Sequence, residues 1–225
     1  MTTTRYTTGL AVALALATSV ANATTESTED ISVMNQAVNN TIAIPAAYQE
    51  ALRRSVKVDD ESAVLTRYVR TDGRNATLGG EHFSTVVSDS GVLKGFANMS
   101  LDLVDMTLPS REISETIARA FLQQHAPDLL ERMKISWIDP HDEPVKVVRN
   151  GREETVTLTG MKVKARNLAD GRWFWIIVGG DGKPMVFERD IVWITFPGKR
   201  KTEKWLHDAW VAEKQQDVSD DQRKL

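Results

Sequence analysis

Residues 172–196 read RWFWIIVGGDGKPMVFERDIVWITF, and the reading of this stretch decides the fold. It holds two runs rich in aromatic and β-branched residues, the types that fit a pleated, half-buried surface. Between them lie Gly179, Gly180, Asp181 and Gly182, which supply the positive φ that a hairpin loop needs. The spacing predicts a β-hairpin. If Val178 stands opposite Met185, alternation puts Phe174, Ile176, Val178, Met185, Phe187 and Ile191 on one apolar core face. The opposite face carries Trp173, Trp175 and Ile177 beside Val186, Glu188 and Asp190, with Trp175 near Glu188 and Trp173 near Asp190. Such a face is apolar and acidic at once. Its rings can stack on another ring or attract a cation, so Trp173, Trp175, Glu188 and Asp190 are the candidate binding residues. The plainer alternative is that a second layer, or a second copy, covers them.

Outward from the hairpin, composition narrows the class. Residues 1–23 combine Arg5, a short apolar run and the small-residue end Ala21-Asn22-Ala23, the pattern of a signal peptide. A periplasmic or secreted location is expected. No later stretch is long and apolar enough to span a bilayer. The chain has no cysteine, which excludes disulfides, thiolate metal sites and thiol nucleophiles. Its 28 Lys and Arg stand against 31 Asp and Glu, a net charge of −3, and removing the signal peptide takes only Arg5. The one dense basic group, Lys199-Arg200-Lys201 with Lys204, reads as a solvated turn before a helix. Nucleic acid is therefore not an expected partner.

Along the chain, residues 24–43 read as a flexible leader. A helix is expected from Ile44, with Pro45 in its first turn and Ala47, Tyr48, Ala51, Leu52 and Ser55 facing inward. Residues 81–87 and 92–99 flank Ser88-Asp89-Ser90-Gly91 as a second hairpin. Residues 110–124 are the clearest helix, with Ile113, Ile117, Ala120 and Phe121 on one face, Ser110 or Ser114 as cap and Pro127 as stop. Strands follow at 134–138 and 145–148 around a loop at 139–144. Asn150-Gly151 is a turn, and 154–166 is a long alternating strand in which Gly160 marks a bulge. Thr202 caps a last helix bearing Trp205, Leu206, Ala209 and Trp210.

This order predicts an α+β protein, helices packed on antiparallel sheet, organised as two repeated helix, strand and hairpin units over 44–106 and 107–218 with a polar tail at 219–225. At Val86-Val87-Ser88-Asp89-Ser90-Gly91-Val92-Leu93-Lys94-Gly95-Phe96, at 113–125 and at 178–187 the chain resembles the PepSY-like domains, cystatin-like units of peptidase propeptides and bacterial envelope proteins. The resemblance implies a non-catalytic module that binds, or inhibits, a peptidase or another envelope protein.

Catalytic motifs are missing: there is no G-x-S-x-G, H-E-x-x-H, P-loop or G-x-G-x-x-G. His141, Asp142 and Glu143 are adjacent loop residues, and adjacent residues rarely converge on one ion. His207 and Asp208, neighbours on the last helix, point in different directions. No metal site, cofactor or catalytic set is assigned. Besides the leading expectation of a protein-binding module, two rivals remain: a small-ligand carrier with a pocket lined by Trp173, Trp175, Trp193 and Trp210, and a hydrolase using His207-Asp208 or His141-Asp142.

Overall fold

The computed structural model describes Met1, residues 42–196 and residues 198–214. The expected signal peptide, the leader up to Thr41 and the polar tail lie outside the described residues. Strands β1 (Tyr48–Val58), β2 (Glu61–Arg70), β3 (His82–Ser88) and β4 (Leu93–Met99) lead to a short 3-10 turn at Leu101–Leu103. Helices α1 (Arg111–His125) and α2 (Pro127–Leu130) follow. The chain then forms β5 (Met133–Arg149), β6 (Arg152–Asn167), β7 (Trp173–Val178) and β8 (Pro184–Ile191), and the small pair β9 (Trp193–Ile194) and β10 (Lys199–Arg200). Residues 208–214 are helical and are called α3. The first eight strands make one antiparallel sheet in the order β1-β2-β3-β4-β8-β7-β6-β5.

The expected α+β class with helices packed throughout is therefore corrected to a sheet-dominated fold, in which α1 is the one long helix among the described residues. The two repeated helix-first units do not form either. Strands from both sides of position 106 share the sheet through the β4–β8 pairing. Where a helix was expected from Ile44, Ala46 and Ala47 make a turn, with the Tyr48 amide donating to the Pro45 carbonyl (3.0 Å), and β1 begins. From Leu52 onward its burial alternates, and Val56 and Val58 face the core. Asp59 and Asp60, both at positive φ (48° and 71°), then reverse the chain into β2. Pairing along ten positions of β2 overrides the local helical spacing, which any run with apolar residues three and four apart will show.

Helix α1 forms where expected, and the Ser110 hydroxyl caps the Ile113 amide. Its buried face is Ser114, Ala118, Phe121 and Leu122, one residue round from the expected stripe, and Ile113 is 54% exposed. The rotation is allowed because the Ser114 hydroxyl donates to the Ser110 carbonyl (2.7 Å) and so enters the core satisfied. Phe121 then packs against Phe96 and Phe187, at centroid distances of 5.6 and 5.1 Å.

Residues 133–149 form one strand, not two strands and a loop. Prolines 140 and 144 share the parity of Lys146 and Val148, whose amides point away from β6 and bond the Gly79 carbonyl (2.7 Å) and Asn75 Oδ1 (3.0 Å). A proline there removes no ladder bond, which is why an edge strand tolerates it. Those same two bonds tie the far end of the β5–β6 hairpin back to the β2–β3 loop, so the sheet curls on itself. The Asn150-Gly151 turn (φ 52° and 73°) closes this hairpin as expected.

The curl makes two cores. On one face Phe83, Phe96, Phe174, Ile176 and Phe187 lie under Ala118, Phe121 and Leu122 of α1. On the other, Ala97, Met99, Trp175, Ile177 and Val186 meet Val145, Val147 and Leu158 of the returning hairpin. The central β7–β8 hairpin is thus buried on both sides, which explains its almost unbroken apolar run. Its register differs from the expected one. Val178 stands opposite Pro184, with shifts at Trp173/Trp175 and Ile177/Val178, so Met185 and Ile191 move to the second core.

Gly160 sits opposite His141 with no register shift, so it marks close approach and not a bulge. A Cβ there would lie 2.5 Å from Ile177 Cγ2 and 2.9 Å from the Val178 carbonyl oxygen. Gly160→Ala is expected to destabilise the fold by about 1–3 kcal/mol, read as a lowered urea midpoint.

Candidate functional site

After β8, the β9–β10 pair reverses the chain, and residues 201–214 run as a strap across the second face of the sheet. Thr202, expected as a helix cap, instead fixes the strap: its hydroxyl donates to the Asp190 carbonyl (3.0 Å) and accepts the Val192 amide (2.9 Å). Trp205 Nε1 donates to the Lys57 carbonyl (2.7 Å), and Val211 is the buried contact of α3. Between strap, sheet and returning hairpin lies a cavity of about 440 Å³. This is within the range of small-molecule sites. Its apolar walls are Ala97, Met99 and Val186 from the sheet, with Leu206 and Ala212 from the strap. The polar side chains that line it include His82, Glu143, His207 and Asp208.

Two clasps hold the strap. Asp208 accepts both guanidinium nitrogens of Arg67 and the Gly79 amide (2.6 Å). Beside it, His82 is buried, and its Nδ1 lies 2.9 Å from the Gly80 carbonyl, to which it donates as a neutral ring. Burial first, and the nearby Arg67 second, push His82 down to about 4 against the opposing pull of Asp208. In the second clasp, Glu188 accepts from Arg200 (2.8 Å), while His207 Nε2 lies 3.5 Å from its other oxygen. Burial alone would raise the Glu188 carboxyl, but Arg200 and His207 outweigh it and hold it at about 2. Burial likewise opposes the charge on His207, and Glu188 overcomes it, so the imidazole titrates above its ordinary range.

The structure separates the residues expected to bind. Trp175 does stand opposite Glu188, as the sequence predicts. Trp175, Glu188 and Asp190 are buried, however, and Trp173 is half-buried opposite Ile191, so the four do not form an exposed docking face. Asp190, at φ 58° where β8 shifts register, holds Lys94 Nζ (2.8 Å). Lys162 covers the Trp175 ring at 4.0 Å and Lys164 covers Trp173 at 4.6 Å. Of the four tryptophans proposed to line a pocket, none lines this one. Trp193 is 46% exposed, and Trp210 packs edge-on against Trp205.

His141 and Asp142 point to opposite sides of β5. His141 faces Glu143 (3.4 Å) and Lys162 (3.5 Å), whereas Asp142 accepts from Thr159. His207 and Asp208 have separate partners, as their spacing predicts. Among the described residues no group of three His, Asp or Glu side chains is placed to hold a metal ion. Arg67 carries no role in the sequence-based expectations, His82 stands there as an isolated histidine, Glu143 as a loop residue and Arg200 as part of a solvated turn, whereas in the structure all four belong to the cavity and its clasps. One signal was present: Arg67 sits inside the apolar run VLTRYV, and Glu188-Arg189-Asp190 places three charges in a row within a buried strand. Charged residues in such positions need partners from elsewhere in the chain.

Arginine and the Gly79 amide occupy Asp208, Arg200 and His207 occupy Glu188, and no cysteine or serine lines the cavity. Compared with protein-family models, with curated proteins and with solved structures, the chain matches none, so the geometry itself carries the functional reading.

Proposed function

We propose that this is an exported small-ligand-binding protein whose ligand lies in the cavity between the curled sheet and the strap. The observation that carries the reading is the cavity itself: about 440 Å³, with mainly aliphatic walls, a few convergent polar groups and a cover fixed by ion pairs. The export signal read at residues 1–23 supports the location outside the cytoplasm. Among the described residues no helix is long and apolar enough to cross a membrane. The ligand reading is preferred to docking through the hairpin because the tryptophan and carboxylate face is occupied by the protein's own Lys162, Arg200 and strap.

Ala212 tests this from the strap side, where a larger side chain fills the cavity without entering the sheet core. In a titration with 1-octanol followed by intrinsic tryptophan fluorescence, the mature chain is expected to give a saturable change. Ala212→Trp is expected to weaken binding by more than about tenfold, a loss of about 1.4 kcal/mol, with its urea midpoint close to that of the parent. An unsaturable response, or equal affinity in the variant, would count against the cavity.

A further inference from the structure

The polar groups at the cavity differ in how much of their hydrogen-bonding capacity the protein already uses. Asp208 accepts three hydrogen bonds. His207 and Glu188 serve each other, with Arg200 completing the pair. Lys146 reaches outward to Glu153 (2.8 Å), and the one unpaired nitrogen of His82 is fully buried. Glu143 is the exception. Its side chain is only 16% exposed, it lines the cavity, and among the described residues its one ion-pairing contact within 4 Å is the His141 ring at 3.4 Å. A carboxylate has about four acceptor sites, and a polar atom held away from water normally has at least one hydrogen-bond partner. Lys162, His82 and His207 all lie near enough to feel Glu143 electrostatically, but none of them makes an ion pair with it: Lys162 stacks on Trp175, His207 pairs with Glu188, and His82 donates to the Gly80 carbonyl.

We propose that the ligand is a small amphiphile with a protonated amine head, which donates to Glu143 while its apolar body lies along Ala97, Met99, Val186 and Leu206. The proposal rests on the ligand-binding reading above. An ammonium group brings three donors and the charge opposite to the one that the cavity leaves least compensated. An anionic head would meet Glu143 unfavourably, and a hydroxyl would satisfy only part of its capacity.

The test compares octylamine, 1-octanol and octanoate on the mature chain at pH 7.5 by isothermal titration calorimetry. Octylamine is expected to bind at least about tenfold tighter than octanoate, with 1-octanol between them. In Glu143→Gln the octylamine affinity is expected to fall about tenfold while that for 1-octanol stays within about twofold. Octanoate binding as tightly as octylamine would overturn the amine head, as would an unchanged amine affinity in the variant. The three-way comparison on the parent chain decides the matter even if the variant does not fold. Failure of all three to bind would instead remove the ligand reading itself, so the two failures are distinguishable.

Discussion

Glu188→Leu is expected to lower stability by about 3–5 kcal/mol, which in a chain of this size is a fall in Tm of about 6–20 °C. Glu188 and Arg200 are each only 5% exposed at the side chain, and the guanidinium's other bonds go to the carbonyls of Thr202 and Glu203 in the strap. Removing the carboxylate therefore strands a buried cation and unseats His207, whose partner it is. The cost lies mostly in the uncompensated charge. The double variant Glu188→Leu with Arg200→Met should accordingly recover most of the loss, because two apolar side chains of similar volume leave no buried guanidinium charge uncompensated. Thermal unfolding of the parent, the two single variants and the double variant measures this directly. A double variant no more stable than Glu188→Leu would show that the pair does not act as a unit.

Acid sensitivity near pH 6 is the second large effect. His82 titrates at about 4 in the folded chain, against an ordinary value of 6.5. Between those limits the unfolded chain binds a proton that the folded chain refuses, so stability falls as the pH falls. The slope approaches about 1.4 kcal/mol per pH unit, and the whole window is worth about 3 kcal/mol. The other shifted groups at the site act elsewhere. Glu188, held at about 2, contributes stability present above its ordinary 4.5 and lost as the pH drops toward 2. His207, raised by Glu188, contributes stability present below 6.5 and lost as the pH climbs through its folded value. In urea unfolding between pH 6.5 and 5.0 His82 therefore dominates, opposed only slightly by the last part of the His207 contribution. The parent is expected to lose about 2 kcal/mol across that interval, and His82→Gln, whose amide keeps a donor for the Gly80 carbonyl, is expected to lose little of it.

Much of the strand map was legible because its turns are chemically explicit. Asn150-Gly151, Ser90-Gly91 and the glycines before Lys183 announce hairpins through residues that accept positive φ. Ser110 announces α1 through its cap. Less legible were elements whose identity depends on distant chain. β1 carries both a helical and an alternating pattern, and only its pairing with β2 decides between them. The loop expected at 139–144 rested on two prolines, and their harmlessness depends on β5 being an edge, a property of the whole sheet.

The same limit governed the site. Opposition of Trp175 and Glu188 follows from strand alternation within one hairpin and was readable. Their burial was not, because it comes from the strap and the curled β5–β6 hairpin, both remote in sequence. His82, Glu143 and Asp208 lie on three separate elements, and no local spacing links them. The resemblance to PepSY-like modules rested on hairpin and helix motifs that this sheet also contains, and it implied nothing about a cavity.

The central claim is that the space beneath the strap holds a small molecule. Methyl-resolved NMR of the protein titrated with 1-octanol tests it most directly, because Ala97 and Ala212 face the cavity from opposite sides. Saturable shifts of both methyls, with a common affinity and with the α1-side methyl of Ala118 unmoved, are the predicted result. Unmoved Ala97 and Ala212 methyls at concentrations that shift other resonances would contradict it.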